Sequence, residues 1–260
     1  MADAPSHVLL TRPRPESEAL ASLLEPLGLQ PVVLPAFEYR AAELAAAQPD
    51  ESAALNGATE ADLVVFTSPR AVQHGLPQVP AAALARAQVC AIGPSTARDL
   101  AAAGVRARVA PAGGYTSEAL LDSLGAGPTP DPAHPPRAFI VAAPGGRGVL
   151  AEGLAALGWR VHMLWAYHAE PAELPSAELA RLQQARKVLS VWTSGNTLKA
   201  LSQRLPTAAW FRVCQGPWVV ISERLERLAR AYGPEQLERA RGPDNSAIVA
   251  AVRALLGRAG

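Results

Sequence analysis

The chain is short of the features that would tie it to a nucleic acid, a metal or a membrane. Net charge over its 260 residues is +1, and only Lys187 and Lys199 are lysines among the basic residues. Aromatics make up 5%. A near-neutral, aromatic-poor chain has neither the basic field nor the stacking surface of a nucleic-acid binder. Two cysteines, Cys90 and Cys214, make no metal motif, and Cys90 sits in an apolar run as a small hydrophobe. His7, His74, His134, His162 and His168 show no ligand spacing either. No apolar run approaches the roughly 20 residues needed to cross a bilayer. The start, MADAPSHVLL, lacks the charged-then-apolar pattern of a signal peptide. These absences predict a soluble, cytoplasmic protein.

Hydrophobic residues make up 49%, ample for a packed core in one large or two modest domains. Leu63–Leu100 organises the rest. Leu63–Phe66 has the length and β-branched content of a buried strand. Ser68 and Pro69 then supply an N-cap and a first helical residue. Val89–Ile92 followed by Gly93, Pro94, Ser95 and Thr96 repeats the arrangement. Such turns present free backbone N–H groups and a positive dipole end, so they either accept anions or simply cap helices.

The rest of the chain follows the same rhythm. His7–Thr11 reads as a strand, Arg12–Pro15 as a turn, Glu16–Leu27 as a helix with Leu20, Leu23, Leu24 and Leu27 on one face, and Val32–Leu34 as a strand. Ala41–Leu55 reads as a helix, Val105–Val109 as a strand, and Gly125–Pro136 as a loop. Thr116 or Ser117 caps the helix that runs to Leu124. From Ala138 the order recurs. AFIVAAPGG parallels HVLLTRPRP, Val161–Tyr167 parallels Val32–Phe37, VLSVWTSGN parallels LVVFTSPRA, and WVVISERL parallels VCAIGPST. PDNSAIVAAVRAL parallels GYTSEALLDSL, with Ser246 matched to Ser117. Five elements in one order predict a tandem duplication: two similar parallel-sheet α/β domains with a cleft between them.

At LLTRP (Leu9–Pro13), VVFTSPRAV (Val64–Val72), AIGPSTARDLAAAGV (Ala91–Val105), WAYHAEP (Trp165–Pro171), WTSGNTL (Trp192–Leu198) and VVISERL (Val219–Leu225), the sequence resembles the uroporphyrinogen-III synthase family. The resemblance covers nearly the whole chain. It implies a discontinuous domain, 1–36 with 172–260, and a second, 37–171, joined by extended linkers near 35–40 and 167–173. It implies cyclisation of hydroxymethylbilane to uroporphyrinogen III with loss of water and inversion of the last ring, without cofactor or metal. The expected partner is that small molecule, with neither nucleic acid nor membrane. The chain is expected to be a monomer in transient contact with hydroxymethylbilane synthase. One departure stands out: Leu225 aligns with Thr96, so that hydroxyl has no mirror in the second repeat.

The substrate carries eight carboxylates, which helix starts and a few arginines suit. Ser68, Thr96, Thr193 and Ser194 stand at the repeated turns, as carboxylate contacts or as plain caps. Arg12 and Arg147 follow corresponding strands, as carboxylate partners or as solvated loop residues. Arg70 falls on what reads as an exposed helix turn. Tyr167 is the hydroxylated member of the pair it makes with Phe37, at the end of a strand. The resemblance makes it the catalytic candidate, a phenol able to give a proton to departing hydroxide. A cytoplasmic two-domain small-ligand binding protein is the alternative. A nucleotide-dependent transferase is weakened because TRPRPE, not G-x-G-x-x-G, follows the first strand.

Overall fold

The computed structural model describes residues 4–42, 60–110, 114–125, 135–145 and 148–259. The chain starts with β1 (His7–Leu10), α1 (Arg14–Leu24), β2 (Gln30–Val33) and β3 (Phe37–Ala41). Then come β4 (Leu63–Phe66), α2 (Pro69–Gly75), α3 (Ala81–Arg86), β5 (Gln88–Ala91), α4 (Pro94–Ala102) and β6 (Arg108–Val109). Next are α5 (Ser117–Leu124), β7 (Arg137–Ala142), α6 (Val149–Ala156), β8 (Arg160–Trp165) and β9 (Tyr167–Pro171). The rest is α7 (Ser176–Gln184), β10 (Val188–Trp192), α8 (Gly195–Arg204), α9 (Thr207–Cys214), β11 (Pro217–Val220), α10 (Glu223–Arg230), β12 (Gln236–Arg239) and α11 (Asn245–Ala259).

The chain divides into two compact units. Unit 1 is Met1–Glu38 with Glu170–Gly260, and unit 2 is Tyr39–Ala169. Each holds a five-stranded sheet, β12-β11-β10-β1-β2 in unit 1 and β6-β5-β4-β7-β8 in unit 2. Every pairing in both is parallel. The order is the same once β1 is matched to β7, β2 to β8, and β10, β11, β12 to β4, β5, β6. That is the matching the internal repeat predicts. Sequence periodicity alone would not place the first strand beside β10. The place is stabilised by parallel register, His7 on Val188 through Leu10 on Val191.

The strands are apolar on both faces because helices cover both. Along β4, Val64 and Phe66 enter one core and Leu63 and Val65 the other. Along β1, Leu9 enters one core and Val8 and Leu10 the opposite one. β3 and β9 form a separate two-stranded sheet. Its end bonds run from Ala42 N to Ala166 O and from Ala172 N to Ala36 O, each 3.0 Å. Both passages of the chain from one unit to the other run through these two strands.

Some expected boundaries move for local reasons. The strand expected over Val105–Val109 is only Arg108–Val109, because the Val105 amide turns back to Leu100 O and closes α4 behind left-handed Gly104. The first helix begins at Arg14 and tightens to a 3-10 turn over Glu25–Leu27. Leu23 lies off the buried stripe of that helix, 48% exposed. Val161–Tyr167 divides at Ala166 into two strands, so Tyr167 opens β9 rather than closing β8. Ala41 ends a strand instead of starting a helix, Ala42 is not helical either, and the rest of that expected helix, 43–55, lies outside the described residues. So does most of the Gly125–Pro136 loop. Thr116 caps α5 and Asp244 caps the first turn of α11, each accepting the N–H three residues on. That equivalence sets Ser117 against Asn245, one residue from the expected match with Ser246.

Candidate active site

Parallel strands deliver the residues that follow them to one edge of the sheet, where open α/β folds bind ligands. In unit 2, Phe66 pairs with both Ala91 and Val141, so the turns after β4, β5 and β7 emerge together. Ser68 is extended, its Oγ accepts the Ala71 N–H at 3.1 Å, and Pro69 takes the first helical position. Thr67 Oγ1 donates to Val141 O at 3.1 Å and ties this turn to β7. At the next turn Gly93 is the cap residue and supplies no side-chain bond. Thr96 lies within α4 and is 2% exposed, buried beneath the turn instead of standing on it.

A pocket of about 610 Å³, wholly within unit 2, opens beside these turns. Thr67, Ser68, Ser117 and Tyr167 bring hydroxyls to it, and Ile140, Leu150, Met163 and Trp165 make an apolar wall. Tyr167 is 9% exposed, and its hydroxyl is 3.2 Å from Ser68 Oγ. Tyr39 meets its ring edge-on at 5.8 Å, and His74 lies tilted against it at 5.5 Å. Arg70, instead of standing on an exposed helix turn, is half-buried and stacks its guanidinium 4.0 Å over the Tyr39 ring. Gly75 lets α2 approach this closely. A Cβ there would come within 2.2 Å of Val141 Cγ1 and 2.9 Å of Ala166 Cβ.

The sequence reading missed Tyr39, Arg70 and His74 as neighbours of Tyr167. Arg70 and His74 are four apart on one helix, a spacing that shares a face and was open to notice. Tyr39 reaches the site only through the pairing of β3 with β9, which no local pattern announces. Burial, reinforced by the Arg70 charge, holds His74 below its ordinary value of 6.5. The folded form therefore protonates less readily than the unfolded chain. His74 contributes stability above about pH 6.5, and that stability is lost as pH falls below it. His162, in the same unit, is lowered in the same sense by burial and then Arg160 and Arg137. Urea denaturation between pH 7.5 and 5.5 is expected to show falling stability, and His74→Gln to flatten the fall. An unchanged slope in that variant would assign the effect elsewhere.

In unit 1, Leu10 pairs with Val191, so Arg12 and Thr193 follow at one sheet edge. Thr11 Oγ1 donates to Val191 O at 3.0 Å and ties the turn after β1 to β10. Ser194 caps α8, its Oγ accepting the Thr197 N–H at 3.4 Å. Arg12 Nη1 donates to Asn245 Oδ1 at 3.0 Å and Nη2 to Pro243 O, so it joins the turn after β1 to the start of α11. Ser222 caps α10 where Gly93 leaves α4 uncapped. Thus Ser68 and Tyr167 meet in unit 2, with Thr96 beneath the neighbouring turn. Arg12, Thr193 and Ser194 share an edge of unit 1. Arg147 lies outside the described residues. Among the described residues no group of three or more His, Cys, Asp or Glu is placed to hold a metal, and no helix is long and apolar enough to cross a membrane.

Two like parallel α/β units with capped strand-end turns, one of them holding a pocket of small-molecule size, define a duplicated α/β protein. The model of the family described as uroporphyrinogen-III synthase HemD matches residues 18–250, and the chain belongs to that family. The uroporphyrinogen-III synthase of Escherichia coli (strain K12) is 31% identical over 253 residues, covering 95% of this chain and 99% of the relative. That of Salmonella typhimurium is 33% identical over 258 residues with the same coverage. Solved folds agree. A mutant uroporphyrinogen III synthase of the extremely thermophilic bacterium Thermus thermophilus superposes with TM-score 0.61 at 20% identity, over 96% of this chain and 99% of that one. Uroporphyrinogen-III synthetase of Helicobacter pylori 26695 superposes with TM-score 0.59 at 15% identity, over 96% and 99%.

Proposed function

We propose that this chain cyclises hydroxymethylbilane to uroporphyrinogen III, losing water and inverting the last pyrrole ring, with the unit 2 pocket receiving the reacting end of the bilane. Family membership supports the reaction. The Ser68–Tyr167 hydroxyl pair on the wall of a mostly apolar pocket carries the choice of site. A pyrrole ring suits the wall of Ile140, Met163 and Trp165, and its departing hydroxyl needs a proton donor. Tyr167 is that donor.

We assign the carboxylates to strand-end turns. Arg12, Thr193 and Ser194 serve them at the unit 1 edge, and Arg147 after β7. Thr96, 2% exposed as a whole residue, packs beneath the neighbouring turn and is assigned no direct contact with the substrate. No cofactor takes part in this scheme. The protein acts as a cytoplasmic monomer and receives its unstable substrate in transient contact with hydroxymethylbilane synthase.

Incubation with freshly made hydroxymethylbilane, followed by chromatographic separation of isomers, is expected to give type III product with or without chelator. Type I product alone, at the uncatalysed rate, would overturn the assignment and leave a protein that binds its ligand without turning it over. Loss of activity on chelation would contradict the metal-free scheme.

A further inference from the structure

We infer that Ser68 is a positioning residue for Tyr167: its hydroxyl supports the phenol oxygen when Tyr167 gives up its proton. The inference rests on the assignment of Tyr167 as proton donor and adds a residue that acts through it.

Ser68 Oγ is held from behind. It accepts the Ala71 N–H at 3.1 Å, and the extended Ser68 backbone followed by Pro69 fixes the side chain at the head of α2. One accepted bond leaves Oγ its own proton and a lone pair. The Tyr167 hydroxyl, 3.2 Å away, is in reach of both. Tyr167 itself has little freedom to turn elsewhere. Its ring is buried against Tyr39 and His74, and Arg70 stacks on the Tyr39 ring. A phenol oxygen that becomes charged in so dry a place needs a donor already in position, because water reaches it poorly.

The proton inventory closes. The C–O bond of the hydroxymethyl group breaks with its electron pair on oxygen, and that oxygen takes the Tyr167 proton and leaves as water. The phenolate oxygen then accepts a hydrogen bond from the Ser68 O–H, while Ser68 keeps the Ala71 N–H. Closure of the macrocycle onto a pyrrole carbon releases that carbon's proton, which restores the phenol. Ser68 is therefore unchanged over a turnover and forms no bond to substrate in this role.

A kinetic cycle tests this in the full-length protein. Ser68→Gly removes the hydroxyl while glycine remains a tolerable N-cap. It is expected to lower kcat about three- to tenfold, the range of one hydrogen bond, with KM unchanged. Ser68→Thr is expected to restore kcat. In a Tyr167→Phe background, Ser68→Gly is expected to change kcat by less than about twofold, because the oxygen it supports is gone. Equal losses in both backgrounds, or a raised KM at constant kcat, would overturn the inference and make Ser68 a substrate contact or a plain cap. A slow Tyr167→Phe beside a fully active Ser68→Gly would overturn this inference alone. A fully active Tyr167→Phe would overturn the Tyr167 assignment and this inference with it. Ser68→Cys, which keeps the shape but has only a weak S–H donor, repeats the comparison if thermal melting shows the glycine variant unfolding.

Discussion

Trp192→Ala is expected to destabilise unit 1 by about 3–5 kcal/mol, the range for emptying a large aromatic from a packed core. Trp192 ends β10 and is fully buried. Its ring lies 5.2 Å from Trp218 and 6.2 Å from Trp210, and both of those meet Tyr232, at 6.1 and 5.5 Å. Its indole N–H donates to Ser190 Oγ at 2.8 Å, both groups being buried. Truncation removes ring contacts and one hydrogen bond together. A domain has roughly 5–15 kcal/mol in total, so the loss is a large share of unit 1. The next residues are Thr193 and Ser194, so the variant is also expected to loosen the turn at that sheet edge. Urea unfolding followed by circular dichroism measures the cost. Trp192→Phe, which keeps most of the packing, is expected to fall well short of it. A loss below about 1 kcal/mol in the alanine variant would show that the surrounding tryptophans collapse into the space.

The repeat made the fold readable. Strand and turn residues such as LVVF–TSP and VLSVW–TSG carry local signals, namely β-branched runs, hydroxyl caps and proline at the first helical position. These survive into the structure because they are set by the backbone of a few neighbouring residues. Matching the halves then ordered both sheets, since equivalent strands take equivalent places. What was less legible depended on distant partners. Ala41 belongs to a strand because β9 lies beside it, and alanine content alone favours a helix. The Val105 strand fails because its amide closes the preceding helix. At the site, the capping by Ser68 and Ser194 was readable from the turn residues themselves. The bond from Ser68 to Tyr167, the ring of Tyr39 and the stack of Arg70 were not, because all three need β9, β3 and α2 brought together. Thr96 shows the opposite error. Its place three residues past Gly93 suggested a turn hydroxyl, but the helical twist from Pro94 carries its side chain inward.

Tyr167→Phe is expected to lower turnover by about 10- to 1000-fold while keeping the fold and still giving type III product. General acid assistance is typically worth about 10²- to 10⁴-fold. The pyrrole nitrogen itself pushes out the leaving hydroxide, so the donor supplies only part of the barrier, and the lower end of that range is the better guide. Phenylalanine keeps the ring between Tyr39 and His74 and loses only the bond to Ser68, a cost of about 1 kcal/mol in stability. The ring at position 167 remains on the wall of the apolar pocket either way, so the surface proposed to orient the bilane is kept. Orientation selects the isomer and the proton donor sets the rate, and these are separable effects. Steady-state turnover of fresh hydroxymethylbilane measures the second, and the ratio of type III to type I product measures the first. A slow variant that releases type I product would mean that the hydroxyl holds the substrate as well as protonating it. Turnover equal to wild type would remove Tyr167 from the chemistry and return it to the packing role that its burial between two rings already gives it.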